Sequence, residues 1–292
     1  YNMADKEECV SDVWKNGKNV QGEVKLDLVA HLKNANERPE ATKMKNKGIS
    51  LCDFDIIEEP NVLDIGCGIG SDVFRIVDVL KEKNKKGSIV GIDFNTEMIA
   101  ASKHLVGEEN IPDNVNVSFE QMDATSLIFD DESFDVIFIS CVLQHISPEN
   151  VVKVIQESKR VLKKDGRLVI LEPEQSALKF YTQNKELSEM VEKMFKALTM
   201  AHSSVGSHLY WILREQGLHI DVIDSLSTVG CDLTISDPGW IKLNGMAKMA
   251  VGKGIFTQEE ADKYVKLYST AAEAKEILCT SLVFLYKASI PN

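Results

Sequence analysis

The fold of this chain is decided by residues 61–72, which read NVLDIGCGIGSD. Val62 to Ile65 is typical of a short buried strand, three glycines follow at alternate positions, and a helical pattern begins near Ser71. Glycine lacks a Cβ atom, so the backbone can turn sharply there and a ligand can lie against it. The next helix points unpaired N–H groups and the positive end of its dipole at the turn. The run therefore predicts a strand–turn–helix unit, whose turn either holds a carboxylate or phosphate or is a tight turn without a ligand.

The acid at position 64 narrows the choice of ligand. The spacing G-x-G-x-G differs from the G-x-G-x-x-G of dinucleotide-binding proteins. Asp64 would repel a pyrophosphate placed in the turn but would attract an ammonium group. S-adenosyl-L-methionine carries an ammonium and a carboxylate at its methionine end, which suits an acid beside a helix N-terminus. We therefore predict this compound as the cofactor and disfavour an NAD-linked oxidoreductase.

Composition disfavours several classes of function. The chain has 292 residues, 44% of them hydrophobic and 27% charged, which is ordinary for a globular protein. Its net charge of −12 disfavours nucleic acid as a partner, because neutralising phosphates needs a basic face. No apolar run approaches a membrane span or suggests a secretion signal. The six cysteines are scattered without C-x-x-C pairs, so we expect no metal site and a cytoplasmic location.

Strand and helix patterns alternate from Val62 onward. Runs of β-branched residues that alternate with helices are typical of a parallel sheet covered on both faces. We therefore predict an α/β architecture, Rossmann-like, with helices on both faces of the sheet. Its predicted strands are residues 62–65, 88–93, 115–119, 134–140 and 167–171.

The same pattern divides the chain into two parts. Residues 1–58 are predicted to form an N-terminal helical cap, which either packs over the core or closes over substrate as a lid. Residues 59–292 are predicted to form the cofactor-binding domain. Within it, residues 174–217 and 227–257 are interpreted as substrate-side insertions, the first helical and the second irregular.

Acids at two strand ends are the predicted contacts for the nucleoside. Asp93 ends the second strand and can accept hydrogen bonds from both ribose hydroxyls. Phe94 follows and can cover the adenine. Asp123 either accepts from the adenine N6 amine or caps a helix, and Met122 and Ala124 can flank the ring.

The end of the fourth strand supplies the predicted catalytic residue. Ligands of open α/β sheets lie beyond the carboxyl ends of the strands, so Ser140, Cys141 and His145 are expected to face the cleft. His145 is either a general base or a histidine packed beneath the cofactor. Cys141 is interpreted as a small buried residue rather than a nucleophile.

Aromatic side chains are the remaining candidates for the acceptor pocket, and His202 and His208 are weaker candidates for the general base at that pocket. Each of them has an equally simple interpretation as a core or surface residue. They are Trp14, Tyr181, His202, His208, Trp211 and Trp240.

Four runs in this order resemble the class I S-adenosylmethionine-dependent methyltransferases. They are VLDIGCGIGSD at 62–72, GIDFNTEMIA at 91–100, MDATSLIFDDESFDVIFISCVLQHI at 122–146 and RVLKKDGRLVILEP at 160–173. The resemblance is greatest to the group that includes the ubiquinone- and menaquinone-biosynthesis methyltransferases. It implies a seven-stranded sheet whose last strand is antiparallel, supplied by residues 219–226 and 282–287.

The resemblance also implies roles for individual residues. Asp64, Gly66, Gly68 and Gly70 would surround the methionine moiety, with Cys67 between them. Asp93 would hold the ribose, and Asp123 with its neighbours the adenine. S-adenosyl-L-homocysteine would be the product.

The predicted function is therefore methyl transfer to O, N or C of a small, largely apolar or aromatic metabolite. A protein or nucleic-acid methyltransferase would need a basic groove or an Asn/Asp-Pro-Pro-Tyr signature after the fourth strand, where this chain reads SCVL at 140–143. A non-catalytic binding subunit is the other alternative. A homodimer is left open.

Overall fold

The computed structural model describes residues 28–197, 202–230 and 243–291. Helices and strands alternate through most of this range. In chain order they are α1 (Leu28–Asn36), α2 (Pro39–Ser50), β1 (Asn61–Ile65), α3 (Ser71–Glu82), β2 (Gly87–Asp93), α4 (Thr96–Val106), β3 (Val115–Gln121), β4 (Phe134–Ser140), α5 (Pro148–Val161), β5 (Leu162–Pro173), β6 (Lys179–Thr182), α6 (Lys185–Ala197), α7 (Val205–Glu215), β7 (His219–Gly230), α8 (Leu243–Gly252), α9 (Gln258–Glu273) and β8 (Ile277–Ser289).

The strands form one mostly parallel sheet in the order β3-β2-β1-β4-β5-β8. Strands β1 to β5 are parallel to one another, whereas β8 is antiparallel to β5, β6 and β7. The predicted Rossmann-like α/β class is confirmed. The predicted count of seven strands is wrong, because β8 extends past β5 and the short strand β6 pairs with that extension.

Two apolar layers cover the two faces of the sheet. Leu63 and Ile137 lie in the layer beneath α5 and α7, whereas Val62, Val136 and Phe138 lie in the layer beneath α2 and α3. Successive side chains of a strand point to opposite faces, so a strand buried on both faces needs apolar residues at every position. The helices therefore pack on both faces of the sheet. The loops that follow the parallel strands lie together at the carboxyl edge of the sheet.

Side-chain caps set the first turns of two helices. The side chain of Asn95 accepts from the N–H of Glu97 and caps α4. Thr257 and Glu260 form a capping box at the start of α9. Within the three described ranges, no helix combines the length and apolarity needed to cross a bilayer.

The segments outside the alternating core differ in part from expectation. The stretch 174–217 is not helical throughout, because it contains β6, and residues 227–230 belong to β7 rather than to an irregular insertion. Helix α8 occupies part of the stretch predicted as irregular. Trp14 and Trp240 lie outside the described residues.

Helices α6, α8 and α9 have an apolar core of their own beside β6. Leu187, Met194, Tyr264, Tyr268 and Ile277 are among its buried members. Met194 is fully buried there, which favours a core role for it. These three helices therefore form packed structure attached to the end of the sheet.

Candidate active site

The glycine turn after β1 has a backbone that side chains would disrupt. Gly66, Gly68 and Gly70 have φ of 73°, 55° and 86°, in the left-handed region. The N–H groups of Gly66 and Cys67 donate to the carbonyl of Ile92 at 2.8 and 2.9 Å. A Cβ atom on Gly66 would lie 2.3 Å from Val142 Cγ2. The turn is therefore bonded to the end of β2 and packed tightly against the segment that follows β4.

Asp64 places a buried carboxylate directly before this turn. Its residue is 1% exposed, and no described residue donates a hydrogen bond to its Oδ2 atom. Burial and the neighbouring Asp72 raise the pKa of Asp64 well above its usual value, Lys45 opposes the rise, and Asp93 adds to it. A buried carboxylate oxygen without a donor is costly. The position therefore suits a ligand that brings an ammonium group, as S-adenosyl-L-methionine does.

Asp93 joins the end of β2 to the glycine turn. Its Oδ2 atom accepts from the N–H of Gly68 at 2.9 Å, and its Oδ1 atom accepts from the N–H of Asn95 at 2.8 Å. Burial raises the pKa of Asp93, and these two N–H donors oppose the rise. Each carboxylate oxygen has two lone pairs, so the group retains acceptor capacity for two hydroxyls.

The predicted adenine contacts follow β2 and β3. Phe94 is more than half exposed, whereas Met122 is buried and donates its N–H to the carbonyl of Asp93 at 3.1 Å. The Oδ1 atom of Asp123 accepts from the N–H and the hydroxyl of Thr125, both at 2.8 Å. Asp123 therefore stabilises a local turn, and its role at adenine, like that of Ala124, stays a prediction.

Ser140 lies at the end of β4 and is buried. Its hydroxyl accepts from Lys45 Nζ at 2.7 Å, and Lys45 also forms an ion pair with Asp72 in the first turn of α3. A lysine from the N-terminal region thus enters the group of residues around the glycine turn.

The segment after Ser140 is shaped by a buried acid. The carboxylate of Glu172 accepts from the N–H groups of Val142 and Leu143 at 2.7 Å and of Gln144 at 3.4 Å. Burial raises the pKa of Glu172 to about 7, against the opposing effect of these donors. Cys141 has φ of 60°, and burial raises the pKa of its thiol to about 11, so the thiol is neutral. Glu172 thus holds the one-turn helix Leu143–His145 at the carboxyl edge of the sheet.

His145 lies in that turn, and burial lowers its pKa to about 4. Its imidazole is therefore neutral near pH 7, which leaves both of its predicted roles open. His202 is nearby, because its N–H donates to the carbonyl of Gln144 at 3.2 Å. His202 Nε2 lies 3.0 Å from His208 Nδ1, and burial and His208 lower the pKa of His202, while Glu174 opposes the shift.

Two predicted acceptor contacts lie at exposed positions. Tyr181 on β6 and Trp211 on α7 are each more than half exposed. Trp211 packs edge-on against Tyr210, with 5.3 Å between ring centroids. Among the described residues, no hydrogen bond or ring contact links either side chain to the glycine turn. Their role at the acceptor stays a prediction.

Sequence reasoning missed three charged residues of this region. Asp72 and Glu172 stand inside the runs that carry the family resemblance, so acids at a helix start and a strand end were visible signals. Lys45 had no such signal, because nothing in residues 39–50 distinguishes it from the neighbouring lysines.

The sheet order, the glycine turn and the acid at the end of β2 define a class I S-adenosylmethionine-dependent methyltransferase fold, as the sequence predicted. A family model described as a methyltransferase domain matches residues 56–217, more than half of the chain. The chain therefore belongs to the methyltransferase-domain family.

Individual relatives agree with this assignment. The uncharacterized methyltransferase YcgJ of Bacillus subtilis (strain 168) is 26% identical over 237 residues, which are 80% of this chain and 81% of that protein. The demethylmenaquinone methyltransferase of Lactococcus lactis is 34% identical over 127 residues, 44% of this chain and 47% of that protein. The chain thus spans about half the length of several of its curated relatives.

A solved structure has the same fold. The crystal structure of YcgJ aligns with 86% of this chain and 100% of its own, with a TM-score of 0.54 at 20% sequence identity. At that identity the likeness concerns the fold alone.

Proposed function

We propose that this protein transfers a methyl group from S-adenosyl-L-methionine to O, N or C of a small, largely apolar or aromatic metabolite. One observation carries the proposal: a buried carboxylate oxygen of Asp64, without a described donor, lies directly before a glycine turn with left-handed backbone. Such an oxygen suits an ammonium group, and the N-terminus of α3 beside it suits a carboxylate. S-adenosyl-L-methionine carries both an ammonium group and a carboxylate.

The residues of the chain would bind and orient the nucleoside. In this proposal Asp64 takes the ammonium, Asp93 takes the ribose hydroxyls, and Phe94, Met122, Asp123 and Ala124 surround the adenine. When bound, S-adenosyl-L-methionine supplies a methyl group on a sulfonium, which is already a good leaving group. The chain's own contribution would be to align the acceptor and exclude water.

The location of α1 supports a lid. Leu32 Cδ1 lies 3.1 Å from the position of a Cβ atom on Gly68, and Val29 and Leu32 pack against Ile69 and Met98. Helix α1 therefore covers one side of the glycine turn. A segment in this position can close over a bound nucleoside and acceptor.

Two observations favour a small-molecule acceptor. The net charge of −12 is unsuited to a nucleic-acid substrate. The demethylmenaquinone methyltransferases among the relatives are named for demethylmenaquinone as acceptor. A metabolite screen scored by release of S-adenosyl-L-homocysteine tests this point, and methylation confined to proteins or nucleic acids would contradict it.

We expect Asp93→Ala to weaken binding of S-adenosyl-L-homocysteine about 100-fold or more. The reason is that hydrogen bonds to a charged group contribute about 1.5–3 kcal/mol each, and two would be lost. Titration calorimetry on wild type and variant measures the change.

The carboxylate of Asp93 also accepts a hydrogen bond from the N–H of Gly68. A control must therefore separate loss of the ribose contact from loss of support for the glycine turn. A nucleoside ligand without ribose hydroxyls should bind wild type and Asp93→Ala with similar weakness. Unchanged affinity of the intact ligand in Asp93→Ala would contradict the ribose assignment.

We expect His145→Ala to lower kcat about 100-fold or more while cofactor affinity is kept, because a positioned base contributes about 10²–10⁴-fold. Since its pKa lies near 4, the imidazole stays neutral down to about pH 5. Protonation of His145 should therefore not lower the wild-type kcat between pH 8 and about pH 5. Steady-state kinetics with the acceptor from the screen measures both, and full activity of the variant would remove His145 from the mechanism.

A further inference from the structure

A buried ion pair lies beside the glycine turn and involves a residue outside the region matched by the family model. Lys45 on α2 is 6% exposed and Asp72 on α3 is 7% exposed. Lys45 Nζ donates to the Asp72 carboxylate and, at 2.7 Å, to the hydroxyl of Ser140. The cluster therefore links α2 to the start of α3 and the end of β4.

The cluster contains more acidic groups than basic ones. Burial alone would lower the pKa of Lys45, but Asp72 and Asp64 raise it above its usual value, so the amine is charged. Asp64 Oδ2 and Asp72 Oδ1 are both buried, and neither accepts a hydrogen bond from a described residue. Two buried carboxylates thus share one cation, which leaves a place for a second cation.

We propose that Lys45 is a positioning residue of the cofactor site: it neutralises Asp72, so that Asp64 alone meets the ammonium of the nucleoside. The inference rests on the proposed function, since it takes that nucleoside as the second cation. It also connects α2 to the cofactor site, because Lys45 belongs to α2.

The two single substitutions should weaken binding for opposite reasons. In Asp72→Asn, Lys45 loses its partner and becomes a competing cation for Asp64. In Lys45→Met, Asp72 is uncompensated, and Asp64 holds its proton to higher pH because like charges disfavour ionisation. The double substitution removes both charges and leaves Asp64 as the single carboxylate for the ligand.

This reasoning predicts a distinctive pH dependence. Among the described residues, the charged and titratable groups around Asp64 and Lys45 are Asp72, Asp93, Cys52, Cys67, Cys141 and Glu172. Only ionised Asp64 attracts an ammonium, so affinity should fall as pH drops through the pKa of Asp64 in the ligand-free protein. Removing Lys45 should move this loss of affinity to higher pH. Removing the charge of Asp72 as well should return it toward the pH at which wild type loses affinity.

The experiment is a double-mutant cycle measured by calorimetry with S-adenosyl-L-homocysteine between pH 6 and pH 9. We expect Asp72→Asn to weaken binding about tenfold, and the double variant to bind within about threefold of wild type. In Lys45→Met the fall in affinity should begin at a higher pH than in wild type. Lys47→Met is the matched control, because Lys47 lies on the same helix but pairs with Asp224 at a half-exposed position.

The thermal unfolding of each variant is measured without ligand, so that a variant that fails to fold is recognised. If a single variant fails to fold, the affinity of the double variant still tests the pair. Single effects that simply add in the double variant, or a pH profile unmoved in Lys45→Met, would overturn the inference while leaving the cofactor assignment intact. Failure of wild type to bind the nucleoside would overturn both.

Discussion

Gly66→Ala is expected to lower the free energy of unfolding by about 3 kcal/mol and to abolish binding of the nucleoside. Two costs add. A left-handed backbone costs a residue with a Cβ about 1–2 kcal/mol, and overpacking costs about 1–3 kcal/mol. The backbone at Gly66 has φ of 73°, and the added Cβ would lie 2.3 Å from Val142 Cγ2. Chemical denaturation and calorimetry measure the two effects.

The chain offers a matched control and a rescue for this substitution. Gly254 also has a left-handed φ of 65°, but no described atom lies within 4 Å of its Cβ position. Gly254→Ala should therefore cost only the backbone term, about 1–2 kcal/mol, and leave nucleoside binding unchanged.

The rescue removes the colliding atoms. In Gly66→Ala combined with Val142→Ala, the nearest remaining contact is the Val142 Cβ atom at 3.1 Å. We expect the double variant to recover part of the stability and binding that Gly66→Ala loses. A double variant no better than Gly66→Ala would show that the collision with Val142 is not the cause.

Glu172→Ala is expected to lower the free energy of unfolding by about 3 kcal/mol or more and to reduce kcat. The substitution deprives the N–H groups of Val142, Leu143 and Gln144 of their acceptor. Each buried donor left unsatisfied costs about 1–3 kcal/mol. The turn that carries His145 would then lose its support. Denaturation curves and steady-state kinetics measure these losses.

Glu172→Gln is the matched control for this prediction. The two short bonds, from Val142 and Leu143, both end on Oε1, which an amide oxygen can replace. We therefore expect the glutamine variant to keep most of the stability that alanine loses. Equal losses in the two variants would contradict the hydrogen-bonding role.

The pH dependence of stability gives a second check on Glu172. Burial raises its pKa in the folded protein to about 7, above an unfolded value of about 4.3. The folded state therefore binds the proton more tightly, and this contribution to stability is lost as the pH rises from about 4 to about 7. Glu172→Gln should lack this slope, and parallel stability profiles of wild type and variant would contradict the raised pKa.

Local patterns were sufficient for much of the fold and for part of the site. Short-range signals predicted β1 to β5 and the glycine turn, because each depends on neighbouring residues alone. Strand β6 was missed because four residues have no readable alternation, and the strand exists only where β8 extends beyond β5. Trp14 lies outside the described residues, and the roles of Tyr181, His202 and Trp211 at the acceptor stay predictions.

The sequence by itself determined the α/β fold class and the glycine turn, because apolar periodicity and glycine spacing are properties of neighbouring residues. Its resemblance to the class I S-adenosylmethionine-dependent methyltransferases indicated the family. Only the tertiary structure decided which charges meet. Asp64, Asp72 and Lys45 come from three separate elements, and their pairing depends on how α2 packs across β5 and α3. Burial then decides the protonation of Glu172 and His145, and burial is a property of the packed chain rather than of any residue in it.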